Sequence, residues 1–257
     1  MIRHGTVVLA GALGGCLLLR DVDALEDRAG APAVDAGVSE ASTPPNTGCP
    51  AGMVRVDTYC IDRTEVTVAR YARFVGSRGS DTTGQRTDCV GNETFVPANW
   101  ETGRAPDDFP VSNVDFCDAL AFCAWDGKRL CGAIDGGALA MSAMNDPARS
   151  QWFRACSRAG TRTFPYGVDL DGQRCSGAVR DAGFQPSGSF ADCEGGYDGI
   201  LDLAGSVREW EDACDAEGCL QRGGAFYDIS STLRCDNRQS VDPKQANIGV
   251  GLRCCSR

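Results

Sequence analysis

Two acidic residues, Asp202 and Glu209, stand on either side of a Gly205-Ser206 break in the stretch Gly199-Ile-Leu-Asp-Leu-Ala-Gly-Ser-Val-Arg-Glu-Trp210. Carboxylates are hard oxygen ligands, and a tight turn between them frees backbone carbonyls of the same character, so this spacing could hold a Ca²⁺ ion. Gly205 supplies a backbone position that a Cβ would obstruct. The same residues also read as a strand, a turn and a strand carrying two solvated acids. Two further acidic pairs, Asp107-Asp108 and Glu211-Asp212, have no supporting context and read as solvated. The single histidine, His4, lies near the start of the chain, which leaves no base for a serine triad. With no Cys-x-x-Cys pair either, a structural zinc site has no ligands to draw on.

The elements that must position these residues begin well into the chain. Met1-Ile-Arg3-His4 followed by an apolar run from Thr6 to Leu13 and by Gly14-Gly15-Cys16 has the layout of a short export signal. Leu13-Gly-Gly-Cys16 looks like a bacterial lipobox, which makes residues 1–16 a lipoprotein-type signal peptide and Cys16 the lipidated first residue of the mature chain. The run is too short for a membrane span. Residues 17–48, rich in Ala, Asp, Pro, Ser and Thr, cannot bury enough apolar surface to fold and read as a disordered tether. Residues 49–257 suffice for one domain with its own core. Abundant glycine (32 residues) and scarce helical periodicity predict an irregular, loop-rich α+β domain. The net charge of −10 argues against nucleic acid or an anionic membrane surface as a partner, leaving an N-terminal lipid as the contact with a membrane.

Within that domain, Cys49 to Cys60 reads as a β-hairpin turning at Asp57-Thr58, and Ile61 to Val66 continues as a strand. Thr67 can cap a helix carrying Val68, Tyr71, Phe74 and Val75. Residues 77–109 have no clear period and read as a long loop. Asp115 can cap a second helix, with Leu120, Cys123 and Ala124 as its buried stripe and Gly127 at its end. Asp146-Pro147 predicts the start of a third helix leading to Trp152 and Cys156.

Several blocks in this order resemble the formylglycine-generating enzyme, or sulfatase-modifying factor, family. They are Glu65-Val-Thr67, Ala121-Phe-Cys-Ala-Trp-Asp-Gly-Lys-Arg-Leu130, Phe164-Pro-Tyr-Gly167, the Gly199–Trp210 stretch, Arg222-Gly-Gly224 and Gly251-Leu-Arg-Cys254. The resemblance covers roughly residues 53–254. It implies the family's formylglycine-generating-enzyme-like fold, which is distantly related to C-type lectin domains. It also implies disulfides from Cys123 to Cys254 and from Cys156 to Cys235. Cys49–Cys60, Cys175–Cys193 and Cys214–Cys219 read as local pairs, while Cys89, Cys117, Cys131 and Cys255 stay unassigned. Cys254 and Cys255, adjacent on an expected strand, face opposite ways and need different partners. If Cys16 carries lipid, 14 of the 15 cysteines remain, an even number suited to an oxidising compartment.

Mapped residue by residue, the family's calcium ligands fall on Asp202, the carbonyls of Gly205 and Val207, and Glu209. Ser206 departs from the family's usual asparagine there. Catalytic members oxidise a sulfatase cysteine with O₂ and Cu(I), held by two thiolates a short way beyond the Arg-Gly-Gly block. Soft thiolates suit Cu(I), but no cysteine lies between Gly224 and Cys235; Asp228 and Ser230 or Ser231 stand near those positions. Cys214 and Cys219 have the four-residue spacing but precede the block, and they read as a loop disulfide. The three iron-binding histidines of the related sulfoxide synthases are missing too. The expectation is therefore a non-catalytic, disulfide-stapled binding or structural module on the bacterial cell envelope. Its ligand would be a protein or a glycan that the sequence does not name, its structural ion calcium rather than copper. The competing reading is an oxidoreductase of the formylglycine-generating type acting on protein cysteine with a rearranged thiol pair.

Overall fold

The computed structural model describes residues 48–178 and 183–257. The signal-like segment with Cys16, and the tether apart from Gly48, lie outside the described residues. Strands β1 (Met53–Val56) and β2 (Tyr59–Asp62) form the first hairpin, with Asp57 at the turn in a left-handed conformation. Cys49–Cys60 closes it. Helix α1 (Val68–Ser77) begins where the Thr67 hydroxyl accepts from the Arg70 N–H, and it buries Val68, Tyr71 and Phe74. Residues 77–109 stay mostly irregular, with one α-helical turn, α2 (Trp100–Gly103), and a 3₁₀ turn at Thr87–Cys89.

Helix α3 (Phe116–Trp125) starts in a reciprocal capping box. Asp115 accepts from the Asp118 N–H, and the Asp118 carboxylate accepts from the Asp115 N–H. Its buried face is wider than the periodicity predicts and is displaced. Phe116, Cys117, Ala119, Phe122 and Cys123 are buried, Leu120 is half-buried and Ala124 is exposed. Strand β3 (Arg129–Leu130) follows. Helix α4 (Gln151–Ser157) is capped by Ser150, four residues later than Asp146-Pro147 suggests. Asp146 instead closes a local turn onto the Ala148 N–H. The Ser150 hydroxyl accepts from the Phe153 N–H and donates to the Glu211 carboxylate, a tie 61 residues long that outweighs the local signal.

The C-terminal half supplies β4 (Arg208–Asp215), β5 (Gly218–Arg222), β6 (Arg238–Val241), β7 (Val250–Leu252) and β8 (Cys254–Ser256). They complete two four-stranded sheets, β1-β2-β8-β3 and β6-β5-β4-β7. All pairings are antiparallel except β4 with β7, where Glu209 faces Gly251. Strands β7 and β8 are consecutive in the chain but belong to different sheets, so the chain crosses between sheets at Arg253. Cys254 joins Cys123 within the core built on α1 and α3, while Cys255 joins Cys131 within the core around Trp152. The remaining bonds are Cys89–Cys117, Cys156–Cys235, Cys175–Cys193 and Cys214–Cys219. The fold is a mixed α+β arrangement held by several disulfides.

Candidate functional site

The turn between Leu201 and β4 is built by close backbone approach. Asp202, Gly205 and Ser206 all have left-handed φ, of 60°, 79° and 57°. A Cβ on Gly205 would stand 1.9 Å from the Ser176 carbonyl oxygen, a distance no side chain can occupy. The Gly205 N–H donates to Gly223, the Ser206 N–H to Ser176 and the Phe226 N–H to Ser206. The turn therefore stitches together three segments that are far apart in sequence. Leu201 forms only an isolated bridge with Glu194, so the strand expected before the turn is replaced by irregular chain.

Below the turn lies a buried ionic cluster. Arg253, fully buried at the sheet crossover, forks onto Glu209 through Nε (3.0 Å) and Nη2 (2.9 Å). Its Nη1 donates to the Asp62 carbonyl and its Nη2 also to the Leu201 carbonyl. Trp152 Nε1 donates to the second Glu209 oxygen at 2.7 Å. Both Glu209 oxygens thus have protein donors. Asp202 accepts from the Gly188 N–H with Oδ2, while its buried Oδ1 has no partner. Glu65, also fully buried, has no hydrogen-bond partner on either oxygen.

These carboxylates share one guanidinium. Burial, and next the Asp202 charge, push the Glu65 carboxyl well above its ordinary range, while the Arg253 charge pulls the other way. Burial likewise raises Asp202 to about 6, opposed by the Gly188 N–H and by Arg253. Of the four residues read as calcium ligands, Asp202 keeps an open, buried oxygen, whereas the Glu209 oxygens are engaged. Gly205 and Val207 contribute backbone to the same turn. Glu65, Trp152 and Arg253 were not among the residues singled out. Arg253 could have been suspected as a charge between Leu252 and Cys254, whereas Glu65, within Arg63-Thr-Glu-Val-Thr67, carries no such signal. Among the described residues no three acidic, histidine or cysteine side chains converge as a ready-made metal site.

Asp228, read as standing near the first of the family's thiolate positions, lies beyond the Arg222-Gly-Gly224 block. Its carboxylate is ion-paired to Arg208 Nη2 and accepts from the Ala225 N–H at 2.8 Å. Arg208 Nη1 donates to the Tyr227 hydroxyl at 2.9 Å. Ser230 is buried and Ser231 exposed. The pair Glu211-Asp212 is buried, contrary to its reading as solvated. Glu211, raised by burial to about 7, accepts from Ser150 and faces Arg222 at 3.6 Å, while Asp212 pairs with Arg86. Asp107-Asp108 is exposed.

The two four-stranded sheets meet where Arg253, at the β7–β8 crossover, forks onto Glu209 of β4. The sulfatase-modifying factor enzyme 1-like domain matches residues 24–257, and the chain belongs to that family. It is similar to the formylglycine-generating enzyme of Bos taurus, 24% identical over 273 residues, covering 80% of this chain and 68% of that one. It is also similar to the inactive C-alpha-formylglycine-generating enzyme 2 of Bos taurus, 28% identical over 170 residues, where the match spans 58% of this chain and half of the relative. Among solved structures, PvdO from Pseudomonas aeruginosa shares the fold, with a TM-score of 0.53 at 17% identity over 77% of this chain and 80% of that chain.

Proposed function

We propose that this chain is a non-catalytic, disulfide-stapled binding or structural module of its family, displayed on the cell envelope by a lipid on Cys16. One observation carries the reading: every cysteine from Cys49 to Cys255 is in a disulfide. No thiolate pair is therefore left for Cu(I) among the described residues, and Asp228, near the position the resemblance assigns to the first thiolate, is locked to Arg208. The similarity to a relative named inactive agrees with this reading. The intact mass of the mature protein should show no free thiol among these fourteen cysteines and an acylated Cys16. The same preparation, given Cu(I) and O₂, should leave a Cys-x-Pro-x-Arg peptide unconverted. Aldehyde formation that disappears in Cys214→Ser would instead establish the rearranged-pair oxidoreductase.

We also propose a structural Ca²⁺ at the 202–209 turn. The open oxygens of Asp202 and Glu65 are hard donors left without protons to accept, and the Gly205 and Val207 carbonyls belong to the same turn. When bound, the ion neutralises charge that Arg253 alone does not balance. Glu209 holds Arg253 in place at the edge of the site. Chelation should lower the melting temperature by several degrees, since about 1 kcal/mol corresponds to roughly 2–4 °C in a chain of this size. Asp202→Asn and Glu65→Gln should each remove most of that sensitivity. The sign of Glu65→Gln in the calcium-loaded protein is decisive. Removing a buried charge that has no counter-ion would stabilise; removing a ligand would destabilise. A stabilised variant, or a melting curve indifferent to chelator, would overturn the calcium reading.

A further inference from the structure

Of the disulfide-bonded cysteines, Cys214 alone is exposed; Cys49 is half-buried and all the others are buried. Cys214 joins Cys219 across the turn between β4 and β5, where the two are direct partners in the ladder. They are five positions apart, the shortest separation of any bond in the molecule. Opening this bond releases no long loop, and the chain-entropy estimate for so small a ring is about 2 kcal/mol. A reagent reaches the buried bonds only after the surrounding core has opened, whereas Cys214 already meets solvent. Exposed disulfides are the ones that exchange.

The hairpin tip is set apart from the rest of its sheet. Between the pairs Glu211–Leu220 and Cys214–Cys219 the register slips, so Asp212 and Ala213 bulge out of the ladder. The bulge is fixed from outside the hairpin. The Asp212 N–H donates to the Cys131 carbonyl, its carbonyl accepts from the Leu139 N–H, and its carboxylate pairs with Arg86. Beyond the bulge β4 meets β5 only at Cys214–Cys219 and Asp215–Gly218. Opening the bond therefore loosens the tip and leaves β4 anchored as far as Asp212. The tip is also acidic. Asp215 and Glu217 in the turn, and Asp242 beside Val241, the β6 partner of Cys219, are all exposed. The ion pairs among the described residues involve none of these three. Lys244, the next cation along the chain, lies with its Nζ beside Gly91 instead.

We propose that Cys214–Cys219 is a thiol-exchange site that selects reductants carrying positive charge beside their thiolate. The incoming thiolate attacks the Cys214 sulfur, the S–S bond breaks, and Cys219 leaves with the electron pair as a thiolate. A second thiol of the reductant attacks the mixed disulfide and releases Cys214 as a thiolate. Two reductant thiols become one disulfide, and their two protons pass to the two protein sulfurs. The acidic tip attracts a cationic reagent and repels an anionic one. The exchange uses neither copper nor O₂, so it stands whether or not the chain performs chemistry elsewhere. The test treats the intact protein at low ionic strength with cysteamine or with mercaptoethanesulfonate, traps thiols with iodoacetamide at intervals and reads peptide masses. Cys214 and Cys219 should be the first pair labelled with either reagent. Rates per thiolate should favour cysteamine by roughly tenfold, and the gap should close to less than about twofold in about 1 M salt. Asp215→Lys with Glu217→Lys should reverse the preference. Cys214→Ser with Cys219→Ser should leave every other cysteine unlabelled over the same interval, which separates exchange at this site from general unfolding. Earlier labelling of any other pair would overturn the proposal. So would equal rates per thiolate at low ionic strength, or an order that the two lysines leave unchanged.

Discussion

A chain in which Cys123, Cys131, Cys254 and Cys255 are all alanine should not hold its fold, whereas losing one of the two disulfides should be survivable. Strand β8 is bonded twice to the middle of the chain, by Cys254 to Cys123 and by Cys255 to Cys131. With Cys131–Cys255 intact, the second bond closes only a short additional ring between neighbouring attachment points. The chain-entropy estimate for a ring of that size is about 3 kcal/mol. Removing both bonds also releases a ring that, with Cys156–Cys235 intact, runs through about 45 residues and is worth about 4 kcal/mol more. The combined loss of about 7 kcal/mol equals or exceeds the whole stability of many domains. Thermal and urea unfolding of the two single-bond variants and the quadruple variant measure this directly. If the quadruple variant lost no more than one bond's worth, β8 would be held by packing rather than by its crosslinks.

Glu209→Ala should cost about 3–5 kcal/mol, the range expected when a buried charge loses its partner. The substitution strands Arg253 Nε and leaves Trp152 Nε1 without an acceptor, both in the interior. At roughly 2–4 °C for each kcal/mol, the melting temperature should fall by about 6–20 °C. The loss should persist in chelator, because it arises from Arg253 and Trp152 rather than from a bound ion. Replacing the pair together, as Glu209→Leu with Arg253→Met, should recover only the part owed to the stranded Arg253, since Asp202 and Glu65 then lose the guanidinium they share. A loss below about 1 kcal/mol for Glu209→Ala would mean that water or another acid reaches Arg253.

What was legible in the chain was mostly local or carried by the family resemblance. Thr67 and Asp115 cap their helices because a side-chain oxygen reaching two or three residues onward is a short-range event. The Asp57-Thr58 turn is equally local. The order of blocks led to the family, and the family to the fold. Where distant partners decide, single-chain reading failed. Ser150 rather than Asp146 caps α4 because Glu211 holds its hydroxyl from another sheet. Glu211 and Asp212 are buried because Ser150, Arg222 and Arg86 come to them from elsewhere. Helix α3 is apolar almost all round, so no stripe could mark its buried face. The crossing of β7 into β8 between two sheets leaves no periodic trace, and with it the roles of Arg253 and Glu65 stayed hidden.

The bond from Cys123 to Cys254 has a consequence for wear rather than for stability. Every peptide bond between those two residues lies inside one covalent ring. A protease that cuts once anywhere in that span cannot release a fragment. The nicked chain stays a single molecule, and Cys156–Cys235 and Cys175–Cys193 keep many cut ends close to where they began. Damage of this kind would be invisible until the disulfides were reduced. The molecule can carry one such cleavage while the buried Arg253–Glu209 junction remains assembled.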